Sequence, residues 1–345
     1  MADTTGIEWT DSTWNPVTGC TKLSDGCTNC YAATFAERWR GIPGHHFETG
    51  FDITLRPERL NLPMTWTKPR RIFLDSMSDL FHQDIPDTYI AQVFAVMALT
   101  PRHTYQVLTK RHARMKALLS RATFWHAVAE QGRAHFAGCQ EDWLAAGAML
   151  GGLPLPNVWL GVSVEDQHWA DIRIPALIDT PAHTRFLSCE PLLGPVWIAD
   201  HIWQACPCCE GEGHDEACAP CGNQRCESGH IRKLDWVIAG GESGPRARPL
   251  HPVWIRSLRD QTRERHVPFF FKQWGDHAPE VHGHDHGRLT LIDAQGRTWN
   301  SGEALAPQDA VRMRRVGKKT AGCLLDGRHH SATPAPAGPL PQPVC

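Results

Sequence analysis

The stretch that decides the fold is RIFLDSMSDLFHQDIPDTYIAQVFAVMALTPRHTYQVLTK, residues 71–110. It opens on a short apolar run, RIFLDS (71–76), that stops abruptly at polar residues, and closes on a second, TYQVLTK (104–110). Near-continuous apolar runs of this length suit strands covered on both faces, as in parallel sheets. Between them Pro86 opens IPDTYIAQVFAVMAL, and proline in the first turn is a helix start signal. The segment therefore reads as strand, helix, strand. Working outward, VWLGVSVE (158–165), RFLSCE (185–190), WVIAGGES (236–243) and PFFFKQW (268–274) repeat the strand pattern, and STWNPVTG (12–19) supplies a first strand. EDQHWADIRIPALI (165–178) and HPVWIRSLRDQTRERH (251–266) are helix-like connections. The alternation predicts an α/β fold: a partial or distorted (β/α) barrel of parallel strands, related to the TIM barrel, over residues 1–330.

Three stretches break the rhythm. Residues 121–152 lengthen one connection with FWHAVAEQGRAHFAG and DWLAAGAML. Residues 198–234 carry a cysteine-rich insertion, expected to be small and zinc-knuckle-like. Residues 331–345, with five prolines in SATPAPAGPLPQPVC, read as a disordered tail.

Net charge is -2, from 35 basic and 37 acidic residues, so no global field draws the chain to nucleic acid. The late segment RMRRVGKK (312–319) is the local exception, read either as a solvated helix face or as a phosphate contact. The longest strongly apolar run, Val93 to Leu99, is far short of a membrane span. MADTTGIEWTDS lacks the basic start and apolar core of a secretory signal. A soluble, cytoplasmic chain with no membrane partner is the expectation.

Eight of the thirteen cysteines fall in two tight clusters. An odd total without an export signal argues against a disulfide framework and for metal. GCTKLSDGCTNCYA places Cys20, Cys27 and Cys30 at C-x6-C-x2-C spacing. Thiolates are the usual ligands of iron–sulfur clusters, and three of them on a four-iron cluster leave one iron open. Zinc is the competing reading, with Cys27 and Cys30 joined by His45 or His46, and three unliganded thiols is the bland one. In CPCCEGEGHDEACAPCGNQRC (206–226), two C-x2-C knuckles, Cys206/Cys209 and Cys218/Cys221, read as a structural zinc site, with an auxiliary iron–sulfur cluster as the alternative. In a parallel α/β fold, chemistry sits at the carboxyl ends of the strands. Those ends here are Cys20, Asp75, Lys110, Glu165, Glu190, Glu242 and Gln273.

Taken in order, IEWTDSTWNPVTGC, GCTNCYA, FLDSMSDLFH, VLTKR, VWLGVSVE, FLSCEPLLGP, VIAGGESGPRARP, FFFKQWG and RVGKKTAG resemble the phage-associated three-cysteine-motif family, which is radical-SAM-like. The resemblance runs from Gly6 to Arg328. Radical SAM enzymes at large space their thiols C-x3-C-x2-C and often carry an aromatic before the third. Here the first gap is x6, and Tyr31 follows the third cysteine. The resemblance implies a 4Fe-4S cluster on Cys20, Cys27 and Cys30 whose open iron chelates S-adenosylmethionine. Electron transfer to the sulfonium then gives a 5'-deoxyadenosyl radical that abstracts hydrogen from a substrate. By analogy of strand ends it assigns Asp75, Ser78 and Asp79 to the methionine amino group. Ser163, Glu165, Ser188 and Glu190 fall to the ribose and carboxylate, and the turn Gly240-Gly241-Glu242 to adenine or substrate. The expected function is radical modification of a nucleic acid or nucleobase in a phage or mobile-element context. The zinc knuckle, fourteen tryptophans and the basic segment support it. Two alternatives stay open: radical modification of a peptide or partner protein, and a non-catalytic, metal-stabilised nucleic-acid-binding protein. The expected partners are nucleic acid, a family partner protein encoded nearby and a reductant protein.

Overall fold

A computed structural model of the chain describes residues 5–135, 154–205, 226–227, 230–280, 283, 286–300 and 306–335. Its core strands are β1 (Ser12–Trp14), β2 (Arg71–Leu74), β3 (Thr104–Thr109), β4 (Val158–Ser163), β5 (Thr184–Cys189), β6 (Trp236–Gly240) and β7 (Phe269–Gln273). They form one sheet in chain order, β1 through β7. The pairings of β1 with β2, β2 with β3, β3 with β4, β5 with β6 and β6 with β7 are all parallel. Parallel strands laid down in chain order with helices between them are the winding of a partial (β/α) barrel, in agreement with the alternation in the sequence.

The described residues divide into two compact units, those up to Ser163 with 179–184 and 335 in the first, those of 164–178 and 185–334 in the second. In the first unit, α1 (Tyr31–Ala36) follows the three-cysteine loop, and α2 (Asp87–Leu99) is the crossover between β2 and β3. Pro86 caps α2 in extended conformation. Ten of its residues, from Tyr89 to Leu99, are buried, so α2 is apolar all round, as a helix enclosed by its neighbours must be. Cutting one such buried leucine to alanine costs about 2–5 kcal/mol. Two further helices follow β3, α3 (His112–Leu119) and α4 (Ala122–His135). The second of these is the start of the expected insert; DWLAAGAML lies outside the described residues.

In the second unit, α5 (Gln167–Ile178) precedes β5 and α6 (Pro252–Glu264) joins β6 to β7. Pro252 occupies the first turn of α6, and His251 caps it by accepting the Val253 N–H at 3.1 Å. Its buried face carries Trp254, Ile255, Leu258, Gln261 and Thr262, one helical stripe. All five residues of β6 are buried. The residues just after Arg328 are pinned rather than loose. Ser331 bridges Phe270, and the Trp236 indole donates to the Ala332 carbonyl at 2.9 Å. Residues 336–345 of the expected tail lie outside the described residues.

Three small antiparallel sheets were not foreseen, one of them the pair Val17–Thr18 with Thr54–Leu55. Strands Trp203–Ala205 and His230–Arg232 pair with Ala205 opposite His230, and Cys226–Glu227 pairs on the far side. They form the stem of the cysteine-rich insertion; Cys206, Cys209, Cys218 and Cys221 lie outside the described residues. The third sheet joins His277–Pro279, Val311–Arg315, Arg288–Ile292 and Thr298–Asn300. It takes up Arg312, Arg314 and Arg315 of the basic segment on an inner strand, while Lys318 and Lys319 open a short helix, Lys318–Ala321. Arg312 and Arg314 both pair with Glu280, and Arg315 lies 3.4 Å from Asp276. Among the described residues, no helix is long and apolar enough to cross a membrane.

Candidate functional site

In the first unit the site is built from the ends of β1, β2 and β3. After β1 the chain runs through Val17–Thr18, which pairs antiparallel with Thr54–Leu55, and reaches Gly19. This glycine has φ +90, and a Cβ there would stand 2.1 Å from the Asp52 carbonyl oxygen. Only glycine can make that turn. The loop then carries Cys20, Cys27 at the end of a short 3-10 turn (Asp25–Cys27), and Cys30 immediately before α1. All three thiols lack disulfide partners and are half-buried.

Two strand ends hold this loop. Beyond β2, Asp75 adopts φ 56 and is buried; its Oδ1 accepts the Val17 N–H at 3.3 Å. Ser78 Oγ donates to the Val17 carbonyl at 2.9 Å, and Gly19 N–H donates to the Met77 carbonyl at 2.9 Å. Burial pushes the Asp75 carboxyl well above the usual carboxylate range, against the pull of its Ser78 and Val17 hydrogen bonds. Asp79 is fully engaged: it accepts from Thr109 Oγ1 at 2.6 Å, the Lys110 N–H at 3.0 Å and the Phe81 N–H at 3.1 Å. Past β3, Arg111 reaches back. Its Nη2 lies 2.9 Å from Thr21 Oγ1, 3.1 Å from the Thr21 carbonyl and 3.8 Å from Cys20 Sγ, while its Nε is 4.0 Å from Asp79. His82, fully buried, meets the same Thr21 hydroxyl through Nε2 at 2.7 Å. Its Nδ1 accepts the Asp84 N–H, so the neutral ring carries its proton on Nε2 and donates it to Thr21. Burial pushes the Cys20 thiol up to about 11, with Asp79 adding to the rise and Arg111 opposing it. Tyr31, exposed at the start of α1, donates to the Ser76 carbonyl at 2.6 Å.

Arg111, His82, Thr21 and Tyr31 were not singled out as site residues from the sequence, although His82 closes FLDSMSDLFH and Arg111 closes VLTKR. Their role depends on which strand ends stand together, and no local pattern encodes that. Of the two histidines of the zinc alternative, His45 uses Nδ1 to accept the Phe47 N–H and stacks on Trp39 at 4.2 Å, and His46 meets the Phe47 ring edge-on at 4.7 Å. Among the described residues, no three Cys, His, Asp or Glu side chains are gathered into a metal-holding group. The donor chemistry of the loop does suit a soft centre: three thiols on one short segment, with no competing disulfide. A metal centre that binds such a loop also draws its ligands together. Ser163, the end of β4, is buried.

The remaining candidates belong to the second unit. Glu165 is fully buried and pairs with Arg173 Nη1 at 2.7 Å; the Arg173 guanidinium in turn lies 3.9 Å over the Trp169 ring. Ser188 is buried on β5, where its carbonyl accepts the Val164 N–H at 2.9 Å. Glu190, with 14% of its side chain exposed, lies 3.3 Å from Lys272 Nζ. Glu242 takes a forked grip from Arg248, with Nε at 2.9 Å on one oxygen and Nη2 at 2.7 Å on the other. The glycine turn answers to the chain itself. A Cβ on Gly240 would stand 2.7 Å from Glu190 Oε1, and one on Gly241 2.1 Å from the Trp274 carbonyl oxygen. Close packing of β6 against β7 and Glu190 therefore accounts for both glycines without a ligand.

No curated protein and no solved structure matches the chain. A family model described as a protein of unknown function (DUF5131) matches residues 4–334, nearly the whole length, and the chain belongs to that family.

Proposed function

We propose that the protein is a cytoplasmic iron–sulfur enzyme of the radical S-adenosylmethionine type, with Cys20, Cys27 and Cys30 as the cluster's ligands. The observation that carries this reading is the loop itself: three thiols without disulfide partners, clamped at Thr21 by Arg111 and His82 and at Tyr31 by the Ser76 carbonyl. When bound, a 4Fe-4S cluster would supply an electron to the sulfonium of S-adenosylmethionine. The chain's own part is to hold the loop, to set the charge around it and to limit water. Asp79 fixes Arg111, Arg111 and His82 fix Thr21, and the buried Asp75 with Ser78 fixes the Val17–Gly19 stem. Ser163 and the acids of the second unit, Glu165, Glu190 and Glu242, remain proposed contacts for the cofactor, as does the Gly240-Gly241 turn. Each of those acids is now held by a cation of the chain. Ligand binding there requires exchange of that partner, which Glu190, the most exposed of the three, makes most easily.

The substrate we propose is a nucleic acid or nucleobase, in a phage or mobile-element setting, with a separate protein as reductant. The 206–221 thiols are proposed to hold structural zinc. The test is anaerobic reconstitution with iron and sulfide, reduction, addition of S-adenosylmethionine and assay for 5'-deoxyadenosine. About four irons per chain and slow 5'-deoxyadenosine formation are expected, both lost when the three cysteines are replaced by alanine. A reduced, iron-loaded protein that leaves S-adenosylmethionine intact would overturn the enzyme reading and favour a non-catalytic binding protein.

A further inference from the structure

We infer that Arg111 is the counter-cation and positioning residue of the three-cysteine loop, fixing the first ligand thiol and setting the charge felt by whatever that loop binds. The inference rests on the proposed cluster and goes one residue beyond its ligands. Three features of the placement carry it. Arg111 comes from the far end of β3, 91 positions along the chain from Cys20, so the contact is tertiary. One nitrogen, Nη2, serves the Thr21 hydroxyl, the Thr21 carbonyl and Cys20 Sγ together. Its other side faces Asp79, which three hydrogen bonds hold rigid. The guanidinium therefore stands between the loop and a fixed anion, and its side chain is only 13% exposed, where a unit charge acts more strongly than on an open surface.

A cation in that position favours the more negative state of its neighbour. For an iron–sulfur cluster that is the reduced form, so the cation raises the midpoint potential. Arginine also suits the geometry better than lysine, because its planar fork can serve the loop and Asp79 at once.

The experiment compares wild type with Arg111→Gln and Arg111→Lys in two states of the full-length protein. In the iron-free state, amide hydrogen exchange over residues 19–22 is expected to run roughly tenfold faster in Arg111→Gln, the factor that corresponds to one lost charge-assisted hydrogen bond. In the reconstituted state, Arg111→Gln should hold iron as wild type does but show a lower midpoint potential, and Arg111→Lys should recover most of the shift. If the glutamine variant takes up no iron, the lysine variant must regain it, and equal loss in both would overturn the assignment. Unchanged exchange together with an unchanged potential would overturn it as well. Failure of wild type to bind iron would defeat the proposed function, and the iron-free exchange comparison would still decide whether Arg111 clamps the loop.

Discussion

Replacing Glu165 separates a ligand-binding role from a scaffold role, because its present partner is so well defined. Glu165 and Arg173 are both fully buried, 2.7 Å apart, and the guanidinium also lies over Trp169. Forming such a pair brings little net stability, since desolvating two charges offsets their attraction. Breaking it is costly, about 3–5 kcal/mol, because one ion is left buried without its counter-charge. Arg173→Met should fall in that range, with loss of the cation–π contact adding about 1–2 kcal/mol. Glu165→Gln keeps an acceptor for Arg173 but removes the negative charge, and should cost about 3 kcal/mol. The double variant Glu165→Gln/Arg173→Met should lose less than the sum of the singles by about 2 kcal/mol, the signature of direct coupling. The assay is urea unfolding of the ligand-free protein at pH 7. Hydrogen exchange over residues 164–178 would ensure that the unit carrying the pair is the one read. Wild-type stability for Glu165→Gln in the absence of any ligand would refute the scaffold reading and return Glu165 to the cofactor.

Asp75 gives a second contrast. Asparagine keeps an oxygen for the Val17 N–H and tolerates φ 56, so Asp75→Asn should change stability by less than about 1 kcal/mol, whereas Asp75→Ala strips the Val17 contact and strains φ 56, costing about 1–3 kcal/mol in thermal or urea melts. Acid sensitivity should come in part from His103 and His277, both buried and pushed down to about 4. Their folded-state values lie below the unfolded one, so their stability is whole above pH about 6.5 and is lost as pH falls toward 4, by about 2 kcal/mol each between pH 7 and pH 5. His103→Asn should flatten the pH dependence of the urea midpoint by that amount, and an unchanged slope would count against the assignment. In the cysteine-rich insertion, Cys206→Ala/Cys209→Ala should release one zinc by elemental analysis and speed exchange between residues 206 and 229. The rest of the chain should remain protected.

The fold was legible because its strands are short, apolar on both faces and sharply bounded. RIFLDS, TYQVLTK, VWLGVSVE, RFLSCE, WVIAGGES and PFFFKQW each became a strand within a few residues of the apolar run. Proline marked the starts of α2 and α6 for a physical reason: its fixed φ and missing N–H are harmless only in a first turn. The small sheet over residues 277–315 stayed hidden because its strands are only three to five residues long, and its central pair, Arg288–Ile292 and Val311–Arg315, mixes arginine with apolar residues. Their stability comes from cross-strand partners such as Glu280, and those partners are set by tertiary placement rather than by local propensity.

The site was legible to a different depth, and the difference follows from what each residue type can do alone. A cysteine loop is easy to pick out, since three thiols at close spacing beside a forced glycine turn form a pattern in the sequence itself. A carboxylate at a strand end announces only that something positive or a backbone N–H lies nearby. Glu165 and Glu242 stand just past strand ends as expected, Asp79 lies in the loop after β2, and each has been found by a group of the chain: Arg173, Arg248 and three donors. Such an acid can be scaffold and ligand contact by turns only if releasing its partner is cheap. The buried Glu165 pair makes release expensive, while the Glu190–Lys272 contact at 3.3 Å, partly open to water, makes it inexpensive. Burial of the partner, more than position at the strand end, therefore ranks these acids as candidates. Glu190 comes first among those of the second unit, and Glu165 last.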